Sequence, residues 1–323
     1  MGLSIASEPW GSVDGQAVSL YTLANAHEIT IRISNYGGVV QSILAPDRGG
    51  RMADIGLGFS NLDEYVRGRK HAGAIIGRYA NRIANGQFTL NGTVYHLPQN
   101  DGTNTLHGGP DAFNTKVWTA GEQHTPDAVG LKLAYTDPDG YNGFPGAVTV
   151  EVTYLLTDEN ELQIHYSATT TKPTVVNFTN HTYFNLAGQG SGDVFEQLLR
   201  INADRYTPVN SNLIPTGQLA PVADMPFDFR HAKPIAHGFD HNWVLNGTGM
   251  RLAAFAEDPH TGRTLTTLTT EPGLQLYSGN SDGFALETQH FPNSPNEPSF
   301  PSTVLKPGQT FDSTTVYRFG VAP

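Results

Sequence analysis

Four stretches of the sequence concentrate side chains that can move protons or grip hydroxyl groups. The first, Gly77-Arg-Tyr-Ala-Asn-Arg-Ile-Ala-Asn-Gly86, is followed at a distance by Asn104-Thr-Leu-His-Gly-Gly109. The second is Asn177-Phe-Thr-Asn-His-Thr-Tyr-Phe-Asn-Leu186, the third His237-Gly-Phe-Asp-His-Asn-Trp243, and the fourth Leu286-Glu-Thr-Gln-His-Phe-Pro292. An imidazole and a carboxylate facing one bond are suited to general acid–base catalysis, since one can give a proton while the other takes one. Arginine, asparagine and glutamine supply the fixed donors and acceptors that hydroxyl groups require. Taken singly, each residue also has a structural use. His107 beside glycine fits a loop, and His181 among Asn180, Thr182 and Tyr183 fits a hydrogen-bond network. Glu287 continues an alternating segment and would face outward, while Arg78 or Arg82 would pair with a surface carboxylate.

The elements that must carry these residues read as strands. Val18–Leu23 and Ile29–Ser34 alternate apolar and polar residues, and Asn35-Tyr-Gly-Gly38 separates the second from Val39–Leu44. Asn91-Gly92 between Gln87–Leu90 and Thr93–Leu97 predicts a two-residue type I′ hairpin, because both residues tolerate positive φ. Val148–Leu156 and Leu162–Tyr166, joined through Asp158-Glu-Asn160, form a second hairpin with a longer loop. Ser60-Asn-Leu-Asp-Glu-Tyr65 is the main helix candidate, one or two turns with Ser60 as N-cap. With no sustained 3.6-residue period and no Gly/Ser linker, the expectation is one mostly antiparallel β domain over 1–323, its sheets packed face to face.

Composition narrows the function. Among 323 residues, 35 glycines and 21 prolines accompany only 15% charged residues, which disfavours a helical bundle. The net charge of −11 would repel polyphosphate, and the densest basic stretch, Arg67, Arg69 and Lys70, reads as a solvated loop. Nucleic acid and anionic membrane are therefore not expected as partners. The absence of cysteine removes disulfides, thiolate nucleophiles and Cys-ligated metals. His237 and His241 have i, i+4 spacing, but Gly238 and the missing helical pattern argue against a shared metal. Neither a basic region leading into an apolar one at the N-terminus nor a membrane-length apolar window is visible. The expected location is cytoplasmic, with periplasmic left open if a signal has been removed.

Together the clusters resemble one family. Gly77-Arg-Tyr-Ala-Asn-Arg-Ile-Ala-Asn-Gly, Asn104-Thr-Leu-His-Gly-Gly, Asn180-His-Thr-Tyr-Phe-Asn-Leu, Gly238-Phe-Asp-His-Asn and Leu286-Glu-Thr-Gln-His-Phe-Pro look like the motifs of aldose 1-epimerases, also called galactose mutarotases. Phe300-Pro-Ser-Thr-Val-Leu-Lys-Pro-Gly308 and Ser313-Thr-Thr-Val-Tyr-Arg-Phe319 are similar to that family's C-terminus. The resemblance runs in order from Asn35 to Phe319. It departs mildly at Ala285, where many members have Cys, and at Trp243. It implies an all-β fold, a large antiparallel β sandwich of the galactose mutarotase-like supersandwich type, and cofactor-independent interconversion of the anomers of a free aldohexose. By position, His181 matches the general acid and Glu287 the general base. Asn81, Arg82, His107, Asp240 and Gln275 match residues that bind sugar hydroxyls. On this reading Asp240 keeps His181 protonated, and Trp243 or Tyr277 stacks on the sugar. The partner is a monosaccharide, without metal or cofactor, bound by a monomer or homodimer. A non-catalytic lectin-like module and a hexose-6-phosphate 1-epimerase are the rival readings.

Overall fold

Alternating apolar and polar residues make pleated surfaces with one face fit for a core, and such segments dominate the chain. The computed structural model describes residues 2–68 and 71–322; Arg69 and Lys70 of the basic loop lie outside the described residues. Strand accounts for 48% of the chain and helix for 6%, the all-β class expected. The Asn91-Gly92 hairpin forms as read, with Gln87–Leu90 antiparallel to Thr93–His96 and φ of 52° and 80° at the two turn residues. Val148–Thr157 and Glu161–Thr170 form the second hairpin. The helix spans Leu62–Gly68, and its cap is Asn61 rather than Ser60, since the Glu64 N–H donates to Asn61 Oδ1 at 3.1 Å. The strand Ser4–Val13 escapes sequence reading because it is mostly exposed and broken by a bulge between Pro9 and Gly11.

Among the described residues, two large antiparallel sheets matter most for function. A nine-stranded sheet runs from Thr119–His124 through Ala128–Asp137, Val148–Thr157 and Glu161–Thr170 to Phe311–Val321, then on through Arg263–Thr269 and Arg251–Glu257. Phe311–Val321 pairs on both sides, so the C-terminal strand closes the sheet across a separation of well over a hundred residues. A six-stranded sheet has Tyr183–Phe184, Phe284–Gln289, Gly273–Tyr277, Asp240–Val244, Arg205–Thr207 and Ala220–Pro221 in that order. Its apolar face packs on the larger sheet. The Phe184 and Tyr317 rings lie 5.2 Å apart, and Tyr317 Oη donates to the Leu286 carbonyl at 2.9 Å. One buried apolar cluster draws residues from Leu23 to Phe319.

The other face of the six-stranded sheet carries the polar set. Register places Asp240 opposite Tyr277, Asn242 opposite Gln275, and Gln275 opposite Glu287. This face is covered by short strands from earlier in the chain: Ile75–Ile76 pairs with Thr179–Asn180, and Arg82–Ile83 with Thr105–Leu106. Arg78 pins the covering segment from below. It is 2% exposed; its Nε donates to Asp137 Oδ2 at 2.7 Å and its Nη1 to the Pro145 and Gly146 carbonyls at 2.9 and 2.8 Å. The surface carboxylate expected for Arg78 is thus a buried one. Burial pushes the Arg78 pKa down and the Asp137 pKa up, each opposed by the charge of its partner. Removing one member of a buried pair strands the other, at a cost of about 3–5 kcal/mol. Arg78→Met should lower the free energy of unfolding in urea by that amount. A loss below about 1 kcal/mol, the range of exposed pairs, would contradict this role.

Candidate active site

Asn81 and His107 both adopt left-handed backbone conformations, φ 60° and 53°, at the ends of the covering strands. They lock each other: the Asn81 N–H donates to His107 Nδ1 at 3.1 Å and the His107 N–H to the Asn81 carbonyl at 3.0 Å. Gly108 follows at φ 85°, where a Cβ would come within 2.3 Å of the Gly77 carbonyl oxygen. Only glycine lets the His107 loop lie that close to the Gly77 backbone. With Nδ1 accepting, a neutral His107 carries its proton on Nε2.

The asparagines of the second cluster prove to be pins. Asn180 Nδ2 donates to the Gly73 carbonyl at 2.9 Å, and Asn177 Nδ2 to the Ala80 and His290 carbonyls at 3.3 and 3.1 Å. Asn185 Nδ2 donates to the Gly192 and Asp282 carbonyls at 3.1 and 3.0 Å. The His181 backbone is clamped on both sides, its N–H to the Ala74 carbonyl at 3.0 Å and its carbonyl to the Gly73 N–H at 2.9 Å.

These clamps deliver His181 to Glu287. His181 Nε2 lies 3.5 Å from Glu287 Oε1, with both side chains buried. That gap is longer than a good hydrogen bond, and it lets each group reach its own oxygen on one bound carbon. His181 Nδ1 and Glu287 Oε2 are buried without protein partners. Burial pushes the Glu287 pKa well above the usual carboxylate range; the Asp240 charge adds to this and Arg82 opposes it. Burial drives His181 down to about 3, helped by His71. Burial thus opposes charge on both groups, raising the pKa of Glu287 and lowering that of His181.

Arg82 and Asp240 form the next shell of charge. Arg82 Nε donates to Asp101 Oδ2 at 2.7 Å and Nη1 to Asp240 Oδ2 at 3.0 Å. Gln275 Nε2 donates to Asp240 Oδ1 at 2.6 Å, while Gln275 Oε1 is buried and unpartnered. The Arg82 N–H is taken by Asn81 Oδ1 at 2.9 Å. Each of these side chains is fixed by part of its hydrogen-bonding capacity and keeps another part for a ligand. A cavity of about 920 Å³ opens beside them, bordered by His71, Tyr183, Tyr277, Gln189, Asp193 and Asp282 among others. His107, His181 and Glu287 also bring one ligand-type atom each within 4.8 Å. In the neutral tautomer with its proton on Nε2, His107 presents a hydrogen-bond donor on that atom.

A family model described as Aldose 1-epimerase matches residues 19–318. Galactose mutarotase of Rattus norvegicus is 39% identical, with 95% of this chain and 96% of that protein covered. Aldose 1-epimerase of Escherichia coli K12 is 37% identical over the same shares. The crystal structure of galactose 1-epimerase from Lactobacillus acidophilus covers 100% of both chains at 28% identity, with a TM-score of 0.89. The chain belongs to the aldose 1-epimerase family.

All seven residues that the motifs single out in this aldose 1-epimerase, His181, Glu287, Asn81, Arg82, His107, Asp240 and Gln275, are at most partly exposed and form one constellation. Two expectations need correction. Asp240 does not hold His181 protonated: it is committed to Arg82 and Gln275, and burial pushes the His181 pKa down. Trp243 is fully buried on the core face, its Nε1 donating to the Phe227 carbonyl at 2.9 Å, so it cannot stack on a ligand. Tyr277 does border the cavity. His237 and His241 part company, His237 reaching the Gly279 carbonyl at 3.1 Å and His241 packing on Phe227, with ring centroids 4.8 Å apart. Sequence reading missed Asp101, the second anchor of Arg82, and His71; Asn100-Asp101-Gly102 just before the Asn104 cluster was the available signal for the first.

Removing the Asp240 charge should lower the Glu287 pKa, so that the Glu287–His181 pair loses its proton at lower pH. For Asp240→Asn, the alkaline limb of kcat/KM for anomer interconversion is expected to move to lower pH in a pH–rate profile. A limb that stays in place or moves up would contradict the charge coupling.

Proposed function

We propose that the protein interconverts the α and β anomers of free aldohexoses by opening and reclosing the cyclic hemiacetal, with Glu287 as base and His181 as acid. One observation carries this reading: a buried carboxylate and a buried imidazole 3.5 Å apart, ringed by fixed donors and acceptors. The two groups share one proton. A neutral acid with a neutral imidazole and a carboxylate with an imidazolium have the same net charge, so passing the proton from Glu287 to His181 costs no change in total charge. A bound sugar favours the ionic form, because its O1 hydroxyl donates to the carboxylate and its ring oxygen accepts from the imidazolium. The positive charge of Arg82 favours ionised Glu287 as well.

The chemistry then balances. Glu287 takes the O1 proton while His181 gives its Nε2 proton to the ring oxygen, and the C1–O5 bond breaks to leave an aldehyde and a free hydroxyl. Rotation about C1–C2 presents the other carbonyl face. As O5 re-attacks C1, His181 recovers its proton and Glu287 returns the other to O1. Acid and base contributions of about 10²–10⁴ each suffice for a reaction that already proceeds in water. Asn81, Arg82, His107, Asp240 and Gln275 hold the remaining hydroxyls. We read residues 1–323 as one domain, in keeping with the continuous apolar cluster. Among the described residues no helix is long and apolar enough to cross a membrane.

Glu287→Gln should retain the fold and cut turnover about a hundredfold or more, measured by polarimetry of freshly dissolved α-D-glucose or α-D-galactose. A variant as fast as the unmodified protein would sink the base assignment. A binding module would leave both proteins at the solvent rate.

A further inference from the structure

A third imidazole, His71, borders the catalytic pair and has no part in the proton transfers above. Its ring stacks on His181, with centroids 6.2 Å apart and planes 25° from parallel, and meets His107 edge-on at 4.8 Å. Its Nδ1 is buried without a hydrogen-bond partner. A ring needed only for packing would do better as phenyl, which has no nitrogen to leave unpaired. His71 also lines the 920 Å³ cavity, whose bordering residues do not include His107, His181 or Glu287. It thus touches two members of that cluster, His181 and His107, and also borders the cavity.

The sugar's own connectivity assigns what faces this position. With O1 at Glu287 and the ring oxygen at His181, the other atom bonded to the ring oxygen is C5. In an aldohexose C5 carries the hydroxymethyl group of C6; in an aldopentose it carries only hydrogen. We infer that His71 is a specificity-determining residue that hydrogen-bonds the C6 hydroxyl and so favours aldohexoses with a free 6-hydroxyl. This inference rests on the mutarotase reading. A neutral imidazole offers one donor and one acceptor, the same pair a hydroxyl offers. Burial holds His71 down at about 4, so it is neutral at physiological pH and supplies no fixed positive charge for a phosphate.

His71→Phe keeps the ring and its packing and removes both nitrogens. The readout is the ratio of kcat/KM for D-galactose to that for 6-deoxy-D-galactose, followed by polarimetry. The ratio is expected to fall about tenfold in the variant, the worth of one well-made hydrogen bond. His71→Gln, which keeps a donor and an acceptor, should recover part of it. Equal losses on both sugars would make His71 a packing residue and overturn the inference, as would an unchanged ratio or a Gln variant no better than Phe. An unmodified protein that accelerates neither sugar would overturn the mutarotase reading itself, a different result from any of these.

Discussion

The site depends on keeping a carboxylate out of water. Glu287 and His181 are both buried, and burial opposes charge on each of them. Isolated from one another, two such groups would simply be neutral and inert. Placed 3.5 Å apart, they form the pair we propose to exchange a single proton, because moving it between them leaves the net charge at zero. A solvated pair would instead sit permanently as carboxylate and, below its pKa, imidazolium, each screened by water and each weaker toward a sugar oxygen.

Much of the remaining structure serves that burial. The six-stranded sheet presents Asp240, Asn242, Gln275 and Glu287 on one face, and the covering strands at 75–76, 82–83, 105–106 and 179–180 close over it. Those strands are too short to hold themselves in place, so side chains do it. Arg78 ties the first to Asp137 and to backbone carbonyls, while Asn177, Asn180 and Asn185 bond main-chain groups at and around the second cluster. Gly108 allows the His107 loop to approach the Gly77 carbonyl. The charged pair Arg82–Asp240 then sets the local potential, Asp240 raising and Arg82 lowering the pKa of Glu287.

Strands and hairpins were legible in the sequence because their causes are local: alternation over five or six residues, and a turn such as Asn91-Gly92 whose positive φ values the residue types allow. The site was legible through its motifs but not through its pattern. Alternation around Glu287 marks it as polar and therefore outward-facing, yet the cover that buries it comes from residues more than a hundred positions earlier. The direction of the His181 shift was hidden too, since it comes from burial in the folded chain, while Asp240 is spent on Arg82 and Gln275. Trp243 failed as a stacking residue because one residue of register puts it on the core face, opposite Asn242. His71 gave no signal, being a lone histidine outside every alternating run.

The most direct test of a neutral, proton-sharing pair is the state of His181 in the ligand-free protein. Imidazole ¹⁵N chemical shifts at pH 7, assigned by comparison with His181→Asn, should show a neutral ring at His181, and should still do so at pH 5. An imidazolium signature at pH 7 would contradict the account, because it would mean that burial does not govern the pair.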